Sequence, residues 1–257
     1  MSSPQVLVLR AAGVNCEVET VQAWELAGAR AQVVHINALR ANPGQLLDYQ
    51  ILTIPGGFSY GDDVSAGKIL ANQMQVFLGD QLRAFAERDH LIIGICNGFQ
   101  VLCKTGLLHG GGGAGGLPAA TITANISCKY EDRWVRLRRA SENCVFLRRA
   151  AVYELPVAHG EGRVMACSDE EMNRLAELGC VAMQYTSRNG ASVAYPDNPN
   201  GSMMDVAGLC DPSGRVFGLM PHPERFIHET QHPEWTSRDT AQADGRAIFE
   251  SAVDHFH

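Results

Sequence analysis

The sequence predicts an α/β protein with a doubly wound, mostly parallel sheet and an antiparallel β-rich extension. Two observations predict it. The first half of the chain alternates short apolar runs with amphipathic segments, which is typical of strands joined by crossover helices. From about residue 121 to residue 206, the pattern changes to short β-rich segments separated by turns. A length of 257 residues suits one large domain, and we expect a single domain over residues 1–257.

The elements of the first half follow from its apolar pattern. We predict strands at Val6–Leu9, Gln32–Ile36, Ile51–Ile54 and Leu91–Ile95, helices at Val18–Ala27 and Ile69–Glu87, and a short ordered stretch at Leu46–Asp48. Strands that alternate with helices run parallel, and such sheets bind ligands at the carboxyl ends of their strands.

The second half is predicted mainly as antiparallel strands. Trp134–Leu137, Val181–Tyr185 and Ser192–Tyr195 are expected strands of the extension. A further apolar strand at Val216–Met220 precedes a final helix around Arg246–Phe256, whose apolar side chains should pack on the core.

Cys96 is the strongest candidate for a functional residue. It follows the predicted strand Leu91–Ile95, lies between Gly94 and Gly98, and precedes apolar residues at helical spacing. A strand-to-helix turn flanked by glycines is the geometry of a nucleophile elbow. Buried cysteines often serve as small apolar core residues, but a core cysteine needs no glycine on either side. We therefore interpret Cys96 as a nucleophile.

A thiol nucleophile needs a histidine that shuttles protons and a carboxylate that orients the histidine. Three His-x-Glu triplets compete for this role, at residues 159–161, 222–224 and 232–234. His222 follows an apolar strand directly, and the prolines on either side of it favour an extended chain that presents His222 and Glu224 together. The triplet at 232–234 lies in a polar stretch and is expected to be a surface turn. In the triplet at 159–161, Gly160 and Gly162 flank Glu161 and suit a loop whose backbone lies close to a ligand.

Gly56 and Gly57 follow the predicted strand Ile51–Ile54 and supply a possible oxyanion hole. Backbone N–H groups of a glycine turn, together with the amide of the residue after the nucleophile, can bind a developing oxyanion. We assign this role to the amides of Gly57 and Asn97. A plain strand-to-loop turn also explains the two glycines, but not their pairing with an elbow.

Charge and cysteine content exclude several classes of protein. The formal net charge of −7 argues against binding to nucleic acid or to an anionic membrane. The eight cysteines form no Cys-x-x-Cys pair, so no structural metal site is expected, and we predict reduced thiols in a cytoplasmic protein. The chain begins without a signal-peptide pattern.

Two glycine-rich stretches are partly similar to nucleotide-binding motifs, but neither has the full pattern. Gly61 to Lys68 has five residues between its glycines instead of four, and Ile69 follows where a magnesium-binding hydroxyl is required. The run Gly110–Gly116 follows a helix instead of a strand, which indicates a mobile loop. We therefore expect no ATP site and no other cofactor on this chain.

Five sequence blocks together resemble a known family. They are Pro55-Gly-Gly-Phe-Ser-Tyr-Gly-Asp62, Gly94-Ile-Cys-Asn-Gly-Phe-Gln100, Ala158-His-Gly-Glu-Gly-Arg163, Asn198-Pro-Asn-Gly-Ser202 and Met220-Pro-His-Pro-Glu-Arg225. The elbow resembles the class I glutamine amidotransferases, which release ammonia from glutamine with a Cys-His-Glu triad on a flavodoxin-like sheet. The other four blocks, in this order, are similar to the branch of glutaminase subunits that serve phosphoribosylformylglycinamidine synthase in purine biosynthesis.

The resemblance implies substrates, partners and further site residues. Glutamine is the implied substrate, and Gln100, Gly160 and Glu161 should line its pocket. The implied partner is a formylglycinamide ribonucleotide synthetase subunit that carries ATP and magnesium, with room for a small third subunit. The turn Asn198–Ser202 should be a structural loop of the family.

A different class I glutamine amidotransferase subunit is one alternative, and two other classes of function also stay open at this stage. One is a different cysteine hydrolase on a similar sheet, although such relatives carry histidine after the cysteine where this chain has Asn97. The other is a binding module without activity.

Overall fold

A nine-stranded sheet forms the centre of the chain in the computed structural model, which describes residues 3–109, 118–187, 193–237 and 243–257. Its strands lie in the order β2-β1-β3-β4-β11-β10-β9-β6-β7. Their bounds are β1 Gln5–Arg10, β2 Arg30–His35, β3 Ile51–Ile54, β4 Leu91–Ile95, β6 Glu131–Arg139, β7 Val152–His159, β9 Val181–Tyr185, β10 Val206–Cys210 and β11 Val216–Leu219. A separate antiparallel pair consists of β5 Ala120–Thr123 and β8 Arg163–Ala166.

The first five strands of this order are parallel and follow the flavodoxin-like pattern. β3 and β4 are buried along their whole length, as expected for strands covered by helices on both faces. β11 pairs with β4 in register, Val216 opposite Ile92 and Leu219 opposite Ile95. The carboxyl ends of β3, β4 and β11 therefore meet at one edge of the sheet.

Six α-helices are present in the described residues. Their bounds are α1 Glu17–Leu26, α2 Ile36–Ala41, α3 Lys68–Glu87, α4 Asn97–Thr105, α5 Asp169–Glu177 and α6 Asp244–Asp254. The connection through α1 moves one way across the sheet and the connection through α3 moves the other way, so right-handed crossovers place the two helices on opposite faces. α1 packs against α6, with the rings of Trp24 and Phe249 edge to face at 4.9 Å.

The antiparallel extension continues the same sheet instead of forming a second one. β10, β9, β6 and β7 pair in turn beyond β11, all antiparallel. The predicted fold class is therefore confirmed. The predicted strands of the first half and the strands at β6, β9 and β11 agree with the structure within a few residues.

Some predicted details differ from the structure. The sequence analysis missed α2, and the stretch at Leu46–Asp48 belongs to a 3-10 helix over Pro43–Asp48. The predicted strand Ser192–Tyr195 begins outside the described residues, and residues 193–195 are not in a strand. The glycine run Gly110–Gly116 also lies outside the described residues.

α5 was missed within a region predicted to be β-rich. The Ser168 side chain caps it by accepting a hydrogen bond from the Glu171 N–H at 3.3 Å. Three acidic residues, Asp169, Glu170 and Glu171, occupy the first turn, where they interact favourably with the helix dipole. This start signal was present in the sequence, but the neighbouring strands obscured it.

No helix in the four described stretches is long and apolar enough to cross a membrane.

Candidate active site

Cys96 lies at the turn between β4 and α4, as the sequence predicts. Its backbone has φ 51° and ψ −106°, a region that residues with side chains rarely adopt. Holding a non-glycine residue there costs about 1–3 kcal/mol, which the surrounding structure must supply. The Cys96 N–H donates to the Leu219 carbonyl of β11 at 2.8 Å, so the turn is attached to the neighbouring strand.

Gly94 and Gly98 make this turn possible because neither position has space for a side chain. A Cβ atom on Gly94 would lie 2.5 Å from the Gly98 carbonyl oxygen. A Cβ atom on Gly98 would overlap the Ile54 carbonyl group of β3. The start of α4 therefore lies directly against the end of β3, and this contact fixes where the Cys96 side chain points.

His222 and Glu224 follow β11 and form a buried hydrogen-bonded pair. The His222 Nδ1 and Glu224 Oε1 atoms are 2.6 Å apart, and both side chains are almost fully buried. The His222 N–H donates to the Pro156 carbonyl of β7 at 2.8 Å, which holds this segment against the antiparallel half. His222 Nε2 has no hydrogen-bond partner among the described residues.

The charges of the site favour a protonated His222. Burial alone would lower the pKa of His222, but the carboxylate of Glu224 and the thiolate form of Cys96 outweigh it and raise that pKa well above the usual value. A histidine with these two neighbours can hold a proton beside a thiolate. The structure thus brings Cys96, His222 and Glu224 together from two strands more than 100 residues apart in sequence.

The segment after β3 lies next to Cys96, where an oxyanion hole is expected. Gly57 has φ 141°, and a Cβ atom there would lie 2.7 Å from the Gly13 carbonyl oxygen. Its neighbours are fixed to the loop after β1, with Phe58 N–H donating to Gly13 O at 2.9 Å. The N–H groups of Gly57 and Asn97 donate to no acceptor in the described residues.

A cavity of about 160 Å³ opens beside the Cys96 thiol. Its lining includes the three residues expected in the glutamine pocket, Gln100, Gly160 and Glu161, together with Gly57 and Tyr130. The Gln100 Nε2 atom donates to the Glu161 carbonyl at 2.5 Å, and its Oε1 accepts from Asn97 Nδ2 at 2.9 Å. Gln100 therefore connects the two walls of the cavity instead of pointing freely into it.

Asparagines that the sequence analysis did not select hold the loop at residues 159–163. The Asn125 Oδ1 atom accepts from the Gly162 N–H at 3.0 Å, and Asn125 Nδ2 donates to the His159 carbonyl at 2.8 Å. Asn200 Nδ2 donates to the Gly162 carbonyl at 2.8 Å. Asn200 lies in the expected structural turn Asn198–Ser202, which thus supports one wall of the cavity. Only the triplet Asn-Pro-Asn gave a sequence signal for this role.

The other two histidine triplets have different surroundings. His159 is buried, and its Nδ1 lies 3.1 Å from Asn125 Oδ1, an oxygen that already accepts from Gly162. The ring therefore carries a proton on Nδ1, and burial, which lowers the pKa of His159 to about 4, keeps the ring neutral near pH 7. His232 was expected at the surface, but it is 3 % exposed and packs edge to face on Trp134 at 4.4 Å. The surface turn itself is present, with Pro233 and Glu234 exposed, and only the His232 side chain differs, because the polar residues around it hid its contact with an aromatic cluster.

Cys16 is a further residue of the site that sequence reasoning missed. The ligand-type atoms of Cys16, His222 and Glu224 lie within 4.8 Å of one another, the one such group of three found in the described residues. Sulfur, nitrogen and carboxylate together are a zinc-binding set. Here, however, the Arg225 guanidinium lies 3.3 Å from Cys16 Sγ and already places a positive charge beside it.

Comparison with known proteins assigns the family. Residues 3–256 match the family described as the CobB/CobQ-like glutamine amidotransferase domain. The chain belongs to this family. It is 46 % identical to the phosphoribosylformylglycinamidine synthase subunit PurQ of Dehalococcoides mccartyi over 256 residues, 98 % of each chain. It is 40 % identical to the corresponding subunit of Methanococcus maripaludis over an alignment of 267 residues including gaps, and this alignment covers 99 % of this chain and 98 % of that one.

Solved structures agree with this assignment. A chain in the structure of PurLQS from Thermotoga maritima superposes with a TM-score of 0.76 at 30 % identity, with full coverage of both chains. A glutamine amidotransferase from Thermotoga maritima superposes with a TM-score of 0.56 at 15 % identity, covering 99 % of this chain and 100 % of that one. The second likeness concerns the fold alone. The expected resemblance to class I glutamine amidotransferases is thus confirmed.

We predict that Gly98→Ala abolishes glutamine hydrolysis and lowers the melting temperature, because the added methyl group overlaps the Ile54 carbonyl and must displace the turn at Cys96. Gly98→Val should be at least as damaging. The matched control is Gly79→Ala within α3, where a Cβ meets only the flexible end of Arg83 at 3.7 Å. Thermal unfolding and glutamine turnover of both variants test this, and a fully active Gly98→Val protein would refute the described turn.

We predict that the burial of His159 makes the folded protein less stable in acid. Burial lowers the pKa of His159 to about 4 from 6.5, so between these values the unfolded chain binds a proton that the folded chain does not. The free energy of unfolding should therefore fall on the order of 3 kcal/mol as the pH falls from 6.5 to 4. His159→Gln should reduce this fall in urea unfolding measured across the range, whereas exposed His228→Gln should keep it. An equal fall in wild type and His159→Gln would contradict the assignment.

Proposed function

We propose that the chain is the glutaminase subunit of phosphoribosylformylglycinamidine synthase, which hydrolyses glutamine and supplies ammonia to a synthetase subunit. The observation that carries the proposal is the meeting of Cys96, at a strained turn, with the buried His222–Glu224 pair beside a small cavity. The named relatives and the full-length likeness to a PurLQS chain support the purine-pathway assignment. We further propose that residues 1–257 act as one domain in the cytoplasm, with all eight cysteines free, as they are in the structure.

In the first half of the reaction, the Cys96 thiolate attacks the side-chain amide carbon of glutamine. The amides of Gly57 and Asn97 hold the oxyanion that forms, and removing one such donor typically costs about two to three orders of magnitude in rate. Protonated His222 then gives its Nε2 proton to the departing nitrogen. Ammonia leaves, and a γ-glutamyl thioester stays on Cys96.

In the second half, neutral His222 takes a proton from water at the same atom, and the resulting hydroxide attacks the thioester. Glutamate leaves, the Cys96 thiolate returns, and His222 is again protonated. Glu224 orients the imidazole with a proton on Nδ1, because its Oε1 atom accepts that hydrogen bond at 2.6 Å. The net reaction consumes one glutamine and one water and yields glutamate and ammonia.

Glutamine lies in the cavity lined by Gln100, Gly160 and Glu161 in this proposal. The synthetase subunit holds ATP, magnesium and formylglycinamide ribonucleotide, and a small third subunit completes the complex. Tyr130 and Phe58 are exposed at the rim of the cavity, 53 % and 47 % respectively, where a docked subunit would cover them.

We expect Cys96→Ala and Cys96→Ser to abolish glutamine hydrolysis without unfolding the chain, because the turn depends on its glycines and not on the thiol. His222→Ala should approach this loss, and Glu224→Gln should be milder because it only misorients the imidazole. The control is Cys167→Ala. Cys167 is exposed and does not line the cavity, so this variant should keep wild-type activity. Ammonia release under saturating glutamine is the measurement.

An electrophilic chloroketone analogue of glutamine separates this function from its alternatives. The Cys96 thiolate should displace chloride and form a thioether, and free glutamine should protect it. A different cysteine hydrolase would be labelled without protection by glutamine, and a binding module without activity would not be labelled at Cys96. Equal losses in His159→Ala with an active His222→Ala would overturn the assignment of the triad.

The chain alone should hydrolyse glutamine slowly, since unregulated hydrolysis would waste glutamine and release ammonia into water. Adding the synthetase subunit with ATP and formylglycinamide ribonucleotide should raise turnover, because docking stabilises the competent oxyanion hole. Coupling between two sites is commonly ~1–3 kcal/mol, or roughly 5- to 150-fold. Glutamine turnover with and without each component is the assay, and equally high turnover in every condition would contradict the proposed dependence on a synthetase.

A further inference from the structure

Cys16, at the start of α1, lies beside His222 and Glu224 but does not line the cavity. It is 1 % exposed and lies in the loop after β1. An ideal Cβ atom on Gly56 would lie 3.2 Å from Cys16 Sγ and 2.8 Å from His222 Cε1, so the sulfur and the imidazole edge converge on the same glycine. The mechanism above gives Cys16 no role.

The hydrogen bonds of Cys16 fix both its position and its protonation. Its thiol donates to Asn15 Oδ1 at 3.3 Å, and its sulfur accepts from Arg225 Nη2 at 3.3 Å. Burial raises the pKa of the Cys16 thiol despite the proximity of His222 and Arg225. The thiol is therefore neutral and held among Asn15, Arg225 and the His222 imidazole, so a second nucleophile is not what this geometry provides.

The neutral sulfur has a cation on two sides, with Arg225 Nη2 at 3.3 Å and a ring nitrogen of His222 within 4.8 Å. Arg225 is permanently charged, and His222 becomes an imidazolium when it receives the Cys96 proton. Without the sulfur, nothing would keep the exposed Arg225 guanidinium from approaching the buried imidazolium, and both would compete for Glu224. With the sulfur present, Arg225 donates to Cys16, and the Nδ1 edge of His222 stays directed to Glu224 Oε1.

Cys16 also connects the base to the segment expected to hold the oxyanion. The N–H groups of Asn15 and Cys16 both donate to the Gly56 carbonyl at 3.4 Å, immediately before Gly57. A change at residue 16 would thus reach both the imidazole and the turn that carries the Gly57 amide.

We propose that Cys16 is a positioning residue: held by Arg225 and Asn15, its neutral thiol keeps the His222 imidazole directed to Glu224 and keeps Arg225 away from it. The inference rests on the proposed glutaminase function. It predicts an effect on the chemical step, because Cys16 does not line the cavity in which glutamine binds.

The test measures kcat and KM for glutamine on the full-length chain in complex with its synthetase subunit. Cys16→Ala should lower kcat about 10- to 100-fold, the range usual for residues that orient a functional histidine, with KM within about twofold of wild type. Cys16→Ser should recover most of the activity, since a hydroxyl can donate to Asn15 and accept from Arg225. Arg225→Met should lower kcat in the same direction, and Cys180→Ala, at another buried cysteine outside the site, should leave it unchanged.

Labelling of Cys96 by the chloroketone analogue on the isolated chain gives a second readout. Cys16→Ala should be labelled more slowly than wild type, and Cys16→Ser nearly as fast. A folded Cys16→Ala protein with wild-type kcat and labelling would overturn the inference, as would a serine variant no better than alanine or a rise in KM at unchanged kcat. Wild type that neither hydrolyses glutamine nor reacts at Cys96 would instead refute the proposed function itself, and this inference with it.

Discussion

The backbone contact between the start of α4 and the end of β3 is the constraint on which the site depends. Gly98 lies against the Ile54 carbonyl so closely that no side chain fits between them. This contact forces Cys96 into its strained conformation and places it beside Gly56 and Gly57, which continue directly from β3. One close approach of two chain segments thus sets the nucleophile and the adjacent glycine turn at the same time.

The remaining parts of the site are supported from the antiparallel half of the sheet. His222 N–H is held by Pro156 of β7, and the loop that follows β7 forms a wall of the cavity. Between the paired strand residues His159 and Arg163, that wall is held by the side-chain amides of Asn125 and Asn200 and by the Asn125 N–H, which donates to the Gly160 carbonyl. Amide side chains can satisfy the N–H and C=O groups of an irregular loop in a fixed geometry, which a buried loop requires. The extension therefore orients the histidine and shapes the pocket.

The sequence predicted the parts of this arrangement that are local. An apolar run, a cysteine between glycines and a proline-flanked histidine each determine their own backbone, so β4, the turn at Cys96 and the segment at His222 were found directly. Cys16 was missed because its importance comes from Arg225 and His222, more than 200 residues away, and nothing near residue 16 indicates them. His232 was misplaced for the same reason, since its burial depends on Trp134. Contacts between distant segments leave no periodic signal.

The position of β11 has a consequence for the synthesis of the protein. This strand lies between β4 and β10 in the sheet, yet it is made about 120 residues after β4 on the chain. Until it emerges from the ribosome, the edge of β4 that faces away from β3 has no partner strand, and neither His222 nor Glu224 has been made. The nascent chain is thus exposed to wrong strand pairing along that edge while the roughly 120 residues between the two strands are made. The same order of assembly means that a chain that ends before β11 contains the Cys96 turn but lacks the His222–Glu224 pair.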